Sequence, residues 1–219
     1  MDIAIIFLGL LPSFVWLGFF LQEDMHPEPR KMIFVVFLMG IIAAVFAVVA
    51  QYILQNYLSD NGFWAIAAFA AIEEISKFIF TYLSINKSKY FDEPVDAMIY
   101  MVTAASGMAA FENVALMMSP GGVAQKMGVL VLRFLGATLL HVLSSSVVGF
   151  YWAKGIIRKK VLAGVIFGLI LATLFHTSFN YLIKMFTGGV IYSILFLVAS
   201  AFFIFYDFEK LKNEPKIID

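Results

Sequence analysis

Two adjacent glutamates, Glu73 and Glu74, interrupt an apolar run from Phe63 to Ile85. A carboxylate at bilayer depth costs about 2.5–3.5 kcal/mol even on insertion scales, so its presence there points to function. Three further polar groupings break separate apolar runs: Glu112-Asn113, His141, and His176 with Asn180. Four such insertions in one small chain imply a single assembled site. Carboxylates and imidazoles in a low-dielectric pocket can polarise a water molecule and carry its protons, with a glutamate as general base. Lys77 lies four residues beyond Glu73 and three beyond Glu74, so its ammonium can reach either carboxylate of a helix. His176 and Asn180 share one helix face at i,i+4 and offer N–H donors to an oxyanion. Together these residues suit hydrolysis of an amide within a membrane.

Other hydrolytic designs fit poorly. The chain has no Gly-x-Ser-x-Gly elbow, no His-Glu-x-x-His zinc motif and no cysteine. Tyr206-Asp207 lacks the Gly-x-Gly-Asp partner of an intramembrane aspartyl pair. No cofactor is expected and no metal ligand is assigned. A metal-assisted variant stays open, because His141, His176 and the glutamates are zinc ligands by type. Two non-proteolytic readings compete: a transporter relaying protons or cations through the same carboxylates, and a scaffold or immunity-type protein without turnover. A transporter should show two similar halves and broken helices near its site, and neither is evident in the sequence. Arg133 reads as a snorkelling or packing charge or a partner for a carboxylate, and Ser144, Ser145 and Ser146 as groups bonded back to the helix or its neighbours.

These residues must be held by membrane helices. The 219 residues are 62% hydrophobic and 14% charged, and the mean hydropathy is +0.92. That balance implies an all-α polytopic membrane bundle. A net charge of zero gives no electrostatic case for nucleic acid. Apolar segments at about 3–21, 32–57, 63–85, 95–118, 127–153, 161–185 and 189–206 are each long enough to span a bilayer, which predicts seven helices in one domain over 1–206. The first segment has no basic stretch before it and no small-residue cleavage site, so it reads as a helix and not a signal peptide. Turns are expected at His26-Pro27-Glu28-Pro29, Ser59-Asp60-Asn61-Gly62, Asp92-Glu93-Pro94, Ser119-Pro120-Gly121-Gly122 and Thr187-Gly188-Gly189. Residues 207–219 read as a short, loose, charged tail.

Basic residues divide between the two faces. Arg30, Lys31, Lys87, Lys89, Lys154, Arg158, Lys159, Lys160, Lys210, Lys212 and Lys216 fall in alternate loops and the tail, against Lys126 and Lys184 on the other side. The positive-inside rule then places the C-terminus in the cytoplasm and the N-terminus outside. At about 1.5 Å per residue, Glu73 lies roughly 16 Å from the outer face, Glu112 roughly 9 Å, His141 roughly 20–24 Å and His176 roughly 14 Å. Their depths overlap in the outer half of the membrane. The run Ala104 to Ala110 gives the fourth helix a small-residue surface for close packing.

The same residues resemble a known family. Glu73-Glu74-Ile75-Ser76-Lys77 matches the Glu-Glu-x-x-Lys motif of PrsW-type glutamic intramembrane proteases. The stretch Glu93-Pro94-Val95-Asp96-Ala97-Met98-Ile99-Tyr100, then Gly107 and Phe111-Glu112-Asn113, resembles the second block of that family. His141 and His176-x-x-x-Asn180 fall where its later motifs are expected, so the resemblance spans about 60–185. More distantly, the chain is similar to CAAX prenyl endopeptidases and bacteriocin-processing enzymes. The resemblance implies Glu73 as the base with Glu112 as its partner, and His176 with Asn180 as oxyanion donors. Glu74 and His141 are expected in the same catalytic set, with Lys77 and Asn113 supporting it. The CAAX enzymes usually have His where Glu112 stands, and Met108 replaces a frequent Phe. The implied substrate is a membrane protein such as a single-pass anti-sigma factor cut near its outer face, and the implied location a bacterial cell membrane.

Overall fold

The computed structural model describes residues 3–58, 62–186, 188–215 and 217. Among these, eight α-helices and one short 3-10 turn, Leu21–Glu23, account for the regular structure, and no strand forms. The helices are α1 Ile3–Phe20, α2 Arg30–Leu54, α3 Phe63–Ile85, α4 Asp96–Met118, α5 Val123–Leu135, α6 Ala137–Ile157, α7 Val161–Met185 and α8 Gly189–Lys212. In hydrocarbon the backbone must satisfy its own hydrogen bonds, and long helices do so within one segment. Six stretches are long and apolar enough to cross a membrane: Ile6–Glu23, Arg30–Leu54, Asp96–Met118, Val123–Ile157, Val161–Met185 and Gly189–Lys212. The remaining long helix, α3, has 23 residues and differs by carrying Glu73, Glu74 and Lys77 in its middle. The protein is an all-α polytopic bundle.

The centre of the bundle is α4, which packs against α1, α2 and α6. Every residue from Asp96 to Ala110 is buried. The small residues of that run let backbones touch: a Cβ on Gly107 would lie 2.0 Å from the Phe37 carbonyl oxygen, and one on Gly40 would lie 2.0 Å from that of Ala104. Only glycine permits such an approach, so α2 and α4 pack main chain to main chain. Around this core α3 packs on α2 and α7, while α6 packs on α4 and α7.

Two elements differ from the sequence expectation. The single helix expected over 127–153 is two helices, α5 and α6, broken at Gly136. Gly136 has φ −111° and ψ −94°, outside helical geometry, and a Cβ there would sit 3.2 Å from the Phe179 ring. The break frees the Phe134 carbonyl from its helical partner, and the Trp16 indole N–H of α1 donates to it at 2.8 Å. The tail expected to be loose from Asp207 instead extends α8 to Lys212. Ile204, Phe208 and Leu211 continue one buried helical stripe. Lys212 bridges to Glu23 at 2.7 Å, Glu214 to Lys154 at 2.7 Å, and the Ile217 N–H donates to the Asp92 carbonyl at 2.6 Å. The expected turns at 59–61 and Thr187 lie outside the described residues, as do Lys216 and residues 218–219 of the tail.

Candidate active site

The polar residues of α3, α4, α6 and α7 meet. On α3, Glu74 is fully buried, and its Oε1 accepts from Lys77 Nζ at 2.7 Å, Ser144 Oγ at 2.8 Å and His176 Nδ1 at 2.8 Å. Its Oε2 accepts from Ser145 Oγ at 3.3 Å. A carboxylate with four such donors acts as acceptor only, so the His176 ring donates its Nδ1–H and turns its Nε2 lone pair the other way. The lone pair faces Glu73, whose Oε2 lies 3.5 Å from His176 Nε2. Lys77, which could have reached either glutamate, is committed to Glu74.

His141 has the same arrangement with its ring nitrogens exchanged. Its Nε2 lies 3.2 Å from Glu112 Oε2, and its Nδ1 faces Glu73 Oε2 at 4.0 Å. This Nδ1 is buried and has no hydrogen-bond partner. The two imidazoles meet edge to face with centroids 5.2 Å apart. Glu112 is held in turn by Arg133 Nη2 at 2.7 Å, and Arg133 Nε donates to Asn113 Oδ1 at 2.6 Å. Asn113 then donates to Thr138 Oγ1 at 3.1 Å, tying α4 to the first turn of α6. The helix break at Gly136 brings Arg133, the last basic residue of α5, to these side chains.

Glu73 itself is fixed from α2, where Gln51 Nε2 donates to its Oε1 at 2.7 Å. One oxygen is thereby held and the other left among the imidazoles. Glu73, His141 and His176 each offer one ligand atom, all within 4.8 Å of one another. One divalent ion bonds nitrogen and oxygen at about 2.0–2.2 Å, so small adjustments bring all three onto it.

Of the residues expected from sequence, Glu73, Glu74, Glu112, His141 and His176 share one cluster, with Lys77 and Asn113 behind it. Asn180 stands apart. It lies one turn beyond His176 and lines a neighbouring cavity of about 300 Å³ together with Arg133, Gly136 and Phe179. Gln51 is a contact that sequence reasoning did not assign; Ser144 and Ser145, expected to bond to their helix or its neighbours, reach Glu74 of α3, and Arg133 takes the carboxylate-partner role among those considered. A lone glutamine in the last turn of an apolar helix is the signal that could have found Gln51. A second carboxylate trio, Glu28, Asp92 and Asp96, lies at the far end of α4. There burial pushes the Glu28 carboxyl up to about 7 against a hydrogen bond from the Tyr100 hydroxyl.

Comparisons with known proteins point to one family. Protease PrsW of Bacillus subtilis (strain 168) is 24% identical over 200 residues, covering 89% of each chain. Protease PrsW of Geobacillus kaustophilus is 26% identical over 154 residues, 69% of this chain and 66% of its own. Protease PrsW of Oceanobacillus iheyensis is 23% identical over 223 residues, spanning 99% of this chain and all of its own. No solved structure matches. Residues 28–206 match the model of the PrsW family intramembrane metalloprotease, and the chain belongs to that family of membrane-embedded hydrolases.

Proposed function

We propose that this protease cleaves a peptide bond of a membrane-protein substrate with a water molecule activated at the cluster of Glu73, His141 and His176. One observation carries the reading. Two imidazoles, each bonded from behind by a different carboxylate, present their other ring nitrogens to the same third carboxylate. Such carboxylate–imidazole pairs are how proteins fix the tautomer of a histidine that ligates a metal. The unpartnered buried His141 Nδ1 and the donor set of two nitrogens and one oxygen fit a divalent ion such as zinc. Glu73, His141 and His176 would hold it, and an ion of this kind supplies a water that ionises near neutral pH.

The remaining roles belong to the chain. Glu74 orients His176, Glu112 orients His141, and Gln51 holds Glu73 by its Oε1. Arg133 steadies Glu112 and lines the cavity of about 300 Å³ between α5, α7 and α8, whose other walls include Leu132, Ile183 and Val190. This apolar opening beside the cluster suits the side chains of a substrate segment arriving from lipid. Asn180 lines the same opening, and its amide N–H is the donor we assign to the scissile carbonyl. With the N-terminus outside, helical rise puts the cluster roughly 9–24 Å below the outer face, and the substrate is a single-pass membrane protein of the anti-sigma-factor type.

A second reading of the same cluster keeps Glu73 as a general base without metal. It is favoured by Glu73 Oε2, which sits 3.5 Å and 4.0 Å from the rings and is free to take a proton. Asn180 would then donate to the oxyanion, and His176 would join it once its Nε2 has taken the proton of the water. Both readings share one test of activity. Membranes from cells expressing the wild-type chain, compared by mass spectrometry of protein termini with those expressing Glu73→Gln, are expected to contain new termini inside or beside a membrane span. Identical termini in the two samples would overturn the assignment.

A further inference from the structure

The other end of α6 and α7 carries a site that proteolysis does not use. We propose that a cavity there seats the phosphate headgroup of an anionic phospholipid. The cavity holds about 340 Å³ and is lined by the cations Lys154, Arg158 and Lys160 and by the rings of Tyr151 and Phe167. It lies ten or more residues along α6 from His141, roughly 15 Å at helical rise. Its floor is the close contact of α6 and α7 through glycine: a Cβ on Gly164 would stand 2.4 Å from the Tyr151 carbonyl oxygen.

Charge and position argue for the occupant. No carboxylate lines the cavity among the described residues. Lys154 is neutralised by Glu214 at 2.7 Å, whereas Arg158 and Lys160 are exposed and make no ion pair among the described residues. The first turn of α7 also lines the space, through Ala163 and Gly164. Tyr151 and Phe167 pack edge to face with centroids 4.8 Å apart, an apolar wall continuous with the lipid-facing surface. The cavity lies where two helices long enough to cross the bilayer end, at the level of headgroup phosphates. A soluble anion has no use for the aromatic wall, and a neutral zwitterionic lipid none for the two unpaired cations.

The test uses the full-length protein purified in detergent, with lipid retention read by native mass spectrometry against added phosphatidylglycerol, phosphatidylcholine or inorganic phosphate. The wild type is expected to retain phosphatidylglycerol in preference to phosphatidylcholine, with inorganic phosphate a poor competitor. Arg158→Gln with Lys160→Gln should weaken retention about twenty-five-fold, since each juxtamembrane cation contributes a factor of about five. Ala163→Trp, at an exposed position on the rim, fills the cavity with the charges intact and should weaken retention comparably. Lys87→Gln with Lys89→Gln, removing two exposed cations from another loop, should leave retention unchanged. The proposal is overturned if the wild type does not discriminate between the two lipids, or if the Lys87/Lys89 variant loses as much as the cavity variants. Equal displacement by inorganic phosphate, the mark of a soluble-anion site, would overturn it as well.

Discussion

Glu73→Gln is expected to lower the cleavage rate by about 10³-fold or more while leaving the unfolding transition in place. The substitution is isosteric, and the amide oxygen can still accept from Gln51 at the position of Oε1. What disappears is the negative charge between two imidazole lone pairs. If Glu73 is a metal ligand, the ion loses its only carboxylate. If it is the base, the proton of the attacking water has no acceptor, and general-base catalysis alone is worth about 10²–10⁴. Both routes predict a large fall in kcat with a well-folded protein. A variant that cleaves within about tenfold of the wild type would remove Glu73 from the chemistry.

The largest stability effect is expected at Lys77. Its ammonium and the Glu74 carboxylate are both completely buried and 2.7 Å apart. Removing one partner of such a pair leaves a buried charge uncompensated, at a cost of about 3–5 kcal/mol. Lys77→Met should therefore destabilise the protein by that amount in denaturant unfolding from detergent. The double substitution Lys77→Met with Glu74→Gln removes both charges and should recover most of the loss, since well-packed neutral replacements of buried pairs are often tolerated. It should not recover activity. With an amide in place of the Glu74 carboxylate the Nδ1–H of His176 loses its charged acceptor, and weakening a partner of this kind typically costs about 10–100-fold. The pair would be shown to have no structural role if Lys77→Met melted like the wild type.

The costly groups were visible in the sequence because each is a polar residue inside an apolar run, and hydrocarbon makes that rare. Their company was also legible, since helical rise placed Glu73, Glu112, His141 and His176 at overlapping depths. Pairings were not legible. Lys77 reaches Glu73 and Glu74 equally well along a helix, and the choice is made by Ser144, Ser145 and His176 arriving from α6 and α7. Gln51 belongs to a helix with no other site residue, so only its being a lone glutamine in an apolar helix marks it. Asn180 shares a helix face with His176, yet one turn of α7 carries it past the cluster to the adjoining cavity.

The free nitrogens of His141 and His176 exist only in three dimensions, and they give the metal-assisted chemistry more support than residue type alone. The fold followed a similar division. Apolar length located the spans, whereas the break at Gly136 did not stand out because membrane helices tolerate single glycines. The last turns of α8 were obscured by the charges between Phe208 and Leu211, which mask a stripe that continues inward.

The metal content of the purified chain, measured beside its activity, tests the central claim most directly. About one divalent ion per chain is expected in the wild type, as a site of two imidazoles and a carboxylate would bind. It should be lost from folded His141→Ala and His176→Ala proteins, and activity should vanish on strong chelation and return with zinc. A wild-type protein that is fully active without bound metal would contradict the metal site and leave Glu73 as the base.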